Sequence, residues 1–207
     1  MSTAATIDDN SSVNGGILET PLSSHVVDEM PPIAPRLLTD LLDHAVEAHG
    51  AWPAIDFMGR KWSYAEVGDL ARRAARGLQD LGVVKGTRVG LCLPNTPYYV
   101  ICYFAILRIG GIVVNFNPLY TEREMAHLVK DSGAEIIIAS DLALSLPKIE
   151  PLVGAACGSL KRVVVCPIAD ALPKLKGRAY RLLKRKDIAH EPHDLRFVRY
   201  ADLIARN

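Results

Sequence analysis

The chain has 207 residues, 49% of them hydrophobic, and its 24 basic against 23 acidic side chains leave a formal net charge of +1. A core of real size is affordable at that composition, while so even a charge balance excludes a global field for nucleic acid or a strongly acidic ligand. Four cysteines without a Cys-x-x-Cys spacing, and a first thirty residues without a basic start or apolar run, exclude a disulfide framework and a zinc knuckle and read as the reduced core thiols of a cytosolic protein.

Residues 1–34 are rich in Ser, Asn, Asp and Gly and are expected to form a disordered tail and lead-in. After Pro35, Thr39 is placed to cap a helix whose apolar positions Leu41, Leu42, Ala45 and Val46 share one face and which ends near Gly50. Two short strand-like runs flank Met58-Gly59-Arg60, the pattern of a hairpin. Ser63 and Glu66 have the spacing of a capping box, opening a helix that the apolar periodicity carries from Tyr64 to Leu81.

From Gly82 a rhythm sets in of strand "TRVGLCL", helix "PYYVICYFAILRI", strand "GIVVNF", helix "EREMAHLVKDS", strand "EIIIAS", helix "LSLPKIEPLV" and strand "RVVVC". Strands of almost continuous apolar character between helices require burial on both faces, so the fold class is α/β, a layered sheet with helices on both sides. The longest apolar segment, Tyr98 to Leu107, is about half of what a bilayer crossing needs and ends in Arg108 and two glycines, so it reads as a buried helix.

Past Pro167 the texture changes: Lys174, Lys176, Arg178, Arg181, Lys184, Arg185 and Lys186 follow one another with no acid among them. Leu172, Leu175, Ala179, Leu182 and Leu183 fall on one helical face. Two readings stand: a surface helix packed on the domain with its cations solvated, the commoner use of such a pattern, or an interfacial helix at the headgroup boundary of an anionic membrane. The chain accordingly divides into the tail 1–34, an α/β subdomain over 35–166, and a basic amphipathic segment over 167–207 that opens a further strand and helix.

Groups that carry chemistry are few. Gly77 to Gly82 has the glycine spacing of a P-loop, but Val83 follows where Lys is required, and neither G-x-G-x-x-G after a strand nor G-x-S-x-G occurs. The missing glycine fingerprint weighs against a Rossmann dehydrogenase. Asp131, Glu135 and Asp141 flank a strand where caps and turns are usual, and His190-Glu191-Pro192-His193 sits in a proline-broken loop. No catalytic, cofactor-binding or metal-ligating residue is assigned within these 207.

Two stretches carry a resemblance. "WSYAEV", with Val67 at the usual Leu, and "ILRIGGIVVNFNPLYTERE", with Arg108 at the usual Lys and Ile109 at a usual Ala, resemble in order and spacing the first two signatures of the adenylate-forming enzymes; the run "LCLPNTPYYVICYFAIL" between them is also similar. The likeness covers roughly Leu37 to Val165. Asn117-Pro118-Leu119-Tyr120 and the basic segment resemble fatty-acyl-CoA ligases more than peptide-synthetase domains. Resemblance implies ATP, Mg2+ and coenzyme A for the whole enzyme and a fatty acid or other carboxylate as substrate. It also implies that the Gly/Ser/Thr-rich phosphate loop lies beyond Asn207, so that these residues are expected to be an inactive amino-terminal portion with nothing bound, cytoplasmic and peripheral at the inner membrane face. The competing expectation is a non-catalytic module of the same fold that binds membrane or a partner.

Physically, Gly110-Gly111 is expected to end a helix in a left-handed residue and turn the chain into the next strand. Asn115 and Asn117 are expected to satisfy backbone groups at the strand end, and Thr121 and Glu124 to form a second capping box.

Overall fold

The computed structural model describes residues 35–154 and 158–205; the expected tail and Cys157 lie outside them. Helix α1 spans Leu38–His49, beginning one residue before its expected cap. Thr39 therefore lies inside the first turn, and it is Asp40 that reaches back to accept the Leu37 N–H at 3.2 Å. A carboxylate there also meets the positive end of the helix dipole. Strands β1 (Pro53–Phe57) and β2 (Arg60–Ser63) form the antiparallel hairpin, turning through Met58 at φ +57° and Gly59 at φ +93°. Two consecutive positive φ values match the twist of a two-residue hairpin loop.

Ser63 then caps α2 (Tyr64–Asp80): its Oγ accepts from Glu66 N at 3.2 Å while its own N–H donates to the Glu66 carboxylate at 2.7 Å. Both halves of the expected capping box are present.

Five strands form a parallel sheet: β3 (Arg88–Cys92), β4 (Ile112–Asn115), β5 (Ile136–Ser140), β6 (Arg162–Cys166) and β7 (Phe197–Arg199), in the order β4-β3-β5-β6-β7. Between them run α3 (Pro97–Arg108), α4 (Glu122–Ser132) and α5 (Leu146–Ile149); the short α6 (Ile168–Ala171) and α7 (Lys174–Leu183) precede β7, and α8 (Tyr200–Ala205) follows it. The helix expected over "LSLPKIEPLV" breaks into α5 and a 3-10 turn, Glu150–Leu152. Pro151 supplies no N–H and its ring crowds the preceding turn, which stops an α-helix.

Burial explains the alternation. Every residue of β5 is buried, Ile136 and Ile138 in the core beneath α2 and α3, Ile137 and Ala139 in the core beneath α4 and α5. Val164 and Cys166 divide from Val163 and Val165 in the same way on β6. Each such aliphatic side chain contributes on the order of 1.5–3 kcal/mol, more than an exposed ion pair of about 0–1 kcal/mol such as Lys161 with Glu135. The sheet's two apolar faces, not its surface charges, hold the domain together.

The chain from 167 onward does not form a separate layer. Val164 pairs with Val198, and α8 places Leu203 in the core beside α2. There Gly77 is the point of closest approach, since a Cβ on it would come within 2.2 Å of the Leu203 carbonyl oxygen. Gly90 does the same on β3, where an added methyl would meet the Phe116 ring at 2.6 Å and Ile137 at 2.9 Å.

The expected junction forms. Gly110 takes φ +74° and its neighbour Gly111 donates back to Ile106 O at 2.9 Å, closing α3 before β4 begins. Asn117 Oδ1 accepts from Leu119 N at 3.0 Å as expected, whereas Asn115 uses its side chain otherwise, accepting from the Tyr99 hydroxyl at 3.0 Å. Asn115 faces out at an edge strand, within reach of α3, and so meets a side chain instead of the backbone. Thr121 and Glu124 complete the second capping box around α4.

Gly77→Ala should lower stability by about 1–3 kcal/mol, because the methyl group meets backbone that cannot rotate away. A urea midpoint unchanged from the parent chain would show that α8 is not pressed against α2 as described.

Candidate functional site

In an open parallel sheet, ligands lie beyond the carboxyl ends of the strands, where the strand order reverses. Here β3 leads outward to β4 and the chain then returns past it to β5, so the reversal falls between β3 and β5, whose ends lie side by side through the pairing of Cys92 with Ala139. The rim above them carries polar side chains. Thr96, at the start of α3, makes no cap hydrogen bond although Pro97 occupies the first helical position, and its Oγ1 is buried without a partner. Ser140 Oγ at the end of β5 and Ser145 Oγ before α5 are also buried and unpartnered. Hydroxyls left without partners at this end of the sheet are what a surface completed by further polar groups would leave.

Asp141 follows Ser140. Its Oδ1 accepts the N–H of Ile168, the first residue of α6, at 2.8 Å, so the carboxylate fastens β5 to the chain leaving β6. Burial pushes its carboxyl above the ordinary value of 3.8, against the lowering effect of the Ile168 N–H. Glu135 pairs with Lys161 at 2.5 Å and Asp131 is exposed. These three acids thus stand in structural places, as their positions around a strand suggest. Burial also raises the Cys92 thiol to about 12 and the Cys166 thiol well above its ordinary range. Such thiols stay protonated at neutral pH and do not act as nucleophiles.

An apolar cleft of about 190 Å³ opens beside this rim, between Trp62, Leu70, Tyr98, Ile101, Tyr200 and Ile204. The Tyr98 hydroxyl donates to Pro167 O at 3.0 Å, whereas the buried Tyr200 hydroxyl has no partner. Arg60 stands over the Trp62 ring at 4.5 Å and donates to Asp170 O at 2.6 Å. The guanidinium is thereby used to hold the hairpin to α6. His190 and His193 lie edge to face, 5.5 Å apart, in the loop before β7. Among the described residues no three His, Cys, Asp or Glu side chains converge to hold a metal ion.

All seven basic residues are exposed, and three of them have partners. Lys176 Nζ donates to Met58 O at 2.7 Å, Arg181 pairs with Asp170, and Lys184 lies 3.4 Å from Asp187. Lys174, Arg178, Arg185 and Lys186 have no acidic partner within 4 Å among the described residues. The apolar face proves to be the outward one: Leu172 is buried before the helix starts, but Leu175, Leu182 and Leu183 are 81%, 79% and 79% exposed. What packs inward is Gly177, where an added Cβ would lie 2.4 Å from Ala169 O. A helix held by a glycine can turn its leucines away from the domain, and periodicity alone does not register that choice. The rim hydroxyls Thr96, Ser140 and Ser145 are likewise absent from any sequence motif; only their place after predicted parallel strands could have pointed to them.

A family model described as AMP-binding enzyme matches residues 42–201. The long-chain-fatty-acid–CoA ligase of Salmonella typhimurium is 38% identical over 151 residues, 72% of this chain and 26% of that protein. The enzyme of the same name from Bacillus subtilis is 32% identical over 157 residues, 76% of this chain and 27% of its own. The chain thus spans about a quarter of the length of the curated relatives it matches. Among solved structures, the anthranilate CoA ligase AuaEII in complex with anthranoyl-AMP superposes with a TM-score of 0.65 at 22% identity, over 84% of this chain and 29% of that one. The N-terminal domain of FACL13 from Mycobacterium tuberculosis gives 0.58 at 22% identity, over 79% and 41%. These two share the fold.

Two measurements probe the rim. Asp141→Asn keeps an oxygen for the Ile168 N–H and removes the buried charge. Because the folded-state carboxyl is raised, the parent loses stability as pH climbs from about 3.8 through the folded value. The variant should therefore be the more stable at pH 7, with the gain vanishing below pH 3.8 in paired denaturation curves. Cys92 should resist alkylation at pH 8 in the native chain and react once guanidinium unfolds it, as peptide mass mapping would record; rapid native labelling would contradict its burial.

Proposed function

Because the chain belongs to the AMP-binding enzyme family, the adenylate-forming ligases, we propose that it is the amino-terminal portion of a fatty-acyl-CoA ligase. The reaction of the whole enzyme joins a carboxylate to ATP, forming an acyl-adenylate and releasing pyrophosphate. The thiol of coenzyme A then attacks the acyl carbon and displaces AMP, giving the thioester.

The observation that carries this reading is the 38% identity to a long-chain-fatty-acid–CoA ligase across 72% of the chain, set beside a coverage of only 26% of that relative. The role of these residues is scaffold. Phosphoryl charge at an adenylating centre is neutralised by backbone N–H groups, a lysine and a metal ion. The 207 residues contain no Gly/Ser/Thr-rich loop ending in Pro-Lys-Gly, and Thr96, Ser140 and Ser145 near the carboxyl end of the sheet hold buried hydroxyls without partners. Among the described residues no three His, Cys, Asp or Glu side chains converge, so they do not fit Mg2+. In this reading the sheet, with Thr96, Ser140 and Ser145 at its carboxyl edge, is one wall of a site completed by residues beyond Asn207, and the 207 residues alone are inactive. The half-buried outer face of α3, with Tyr99, Val100, Tyr103 and Phe104, supports the same idea, since a helix apolar all round belongs in an interior. The location proposed is the cytoplasm, with a peripheral contact at the inner membrane face through the basic residues of and around α7.

ATP–pyrophosphate exchange with a panel of fatty acids tests the assignment. The 207-residue chain should give no carboxylate-dependent exchange, and a version extended through the next Gly/Ser/Thr-rich loop and on to the end of its reading frame should give it. Exchange by the shorter chain would refute the scaffold role; absence of exchange in a folded extended chain would refute the ligase.

A further inference from the structure

The cations around α7 are only half of what that helix presents. At about 100° per residue, Gly177 lies roughly 120–160° around the helix from Leu175, Leu182 and Leu183. Gly177 faces α6, so the three leucines project from the opposite side, and each is about four-fifths exposed. Ala179, one turn from Leu175, is exposed on the same ridge. Three contiguous exposed leucines on a ten-residue helix are unusual on a surface that meets only water.

The flanks of the ridge are chemically distinct. Lys174 and Arg178 lie along one side, and Arg185 and Lys186 follow in the 3-10 turn beyond the helix end. None of these four has an acidic partner within 4 Å among the described residues, whereas Arg181 is paired with Asp170 and Lys184 with Asp187. Apolar side chains in the middle and unpaired cations beside them match one kind of surface, the headgroup boundary of an anionic bilayer. Two ties hold the ridge in this orientation, the Lys176 bond to Met58 O in the hairpin and the Arg181 pair with Asp170.

We propose that α7 is a membrane-inserting ridge, with Leu175, Leu182 and Leu183 entering the acyl boundary of an anionic lipid surface while Lys174, Arg178, Arg185 and Lys186 meet lipid phosphates. This rests on the peripheral contact proposed above and deepens it: the leucines, not the cations alone, supply the anchorage. A purely electrostatic contact is released by salt, because screening at ~0.5 M shortens the reach of exposed charges to a few ångströms, whereas inserted leucines are insensitive to it.

The test is flotation of the 207-residue chain with phosphatidylcholine vesicles containing about a third phosphatidylglycerol, at ~0.1 M and ~0.5 M salt, against pure phosphatidylcholine. The parent should float with the anionic vesicles and keep a substantial bound fraction at high salt. The triple variant L175Q/L182Q/L183Q should bind on the order of tenfold more weakly at both salt levels. The quadruple variant K174Q/R178Q/R185Q/K186Q should lose the preference for anionic lipid. Circular dichroism confirms folding in each case, as all seven positions are exposed. Leu182→Trp should give a blue-shifted emission on adding vesicles, reporting burial of that position directly. Equal binding by the leucine variant would overturn the proposal, as would failure of the folded parent to bind. A dimer in sedimentation velocity that the leucine variant dissolves would also overturn it, since the ridge would then be covered by a second copy. None of these readouts involves nucleotide, so their failure leaves the ligase assignment to the exchange assay.

Discussion

Double-sided burial of β3, β5 and β6 is the constraint from which the rest of the structure follows. A strand whose every side chain must leave water needs a helical layer on each face, and a parallel neighbour can be reached only by a crossover that supplies such a layer. Ile136 to Ser140, all buried, could not exist as an edge or as half of a hairpin. The order β4-β3-β5-β6-β7 answers this demand: it places the most apolar strands in the centre and the short, partly exposed β4 and β7 at the margins.

Glycines set how closely the layers approach. Gly77 admits the backbone of α8, Gly90 admits the Phe116 ring, and Gly177 brings α7 against α6. The last of these has a consequence at the surface. A large side chain at 177 would have pushed α7 away from the domain, and its leucine face could then have rolled inward. With glycine there, the small side takes the interior and the leucines are left outside, flanked by cations. Packing geometry thus converts an ordinary amphipathic pattern into an outward-facing apolar ridge.

The carboxyl rim follows the same logic. β3 and β5 are adjacent and their crossovers run to opposite sides, and near their carboxyl ends Thr96, Ser140 and Ser145 keep buried hydroxyls that nothing within the described residues satisfies. Asp141, by contrast, has a partner, accepting the Ile168 N–H and so joining β5 to α6. Lys148 acts on the Cys92 thiol at the end of β3, and its ammonium is taken up by the Tyr120 carbonyl at 2.8 Å.

Much was decided locally. The capping boxes at Ser63 and Thr121, the Gly110 turn, the hairpin at Met58-Gly59 and the succession of strands and helices depend on residues within a few positions of one another, and the sequence by itself determined them along with the family likeness. Thr39 is no cap because the helix already begins at Leu38 and the end is closed by Asp40 accepting the Leu37 N–H, and the helix at Leu146 stops short because Pro151 ends it before the apolar run does. The order of strands, the burial of Thr96 and Ser140 without partners, and above all the direction in which α7 points were decided only by tertiary structure. Each depends on contacts between residues far apart in the chain, such as Gly77 with Leu203, and hydrophobic periodicity says which side chains share a face but not whether that face is turned toward the protein or away from it.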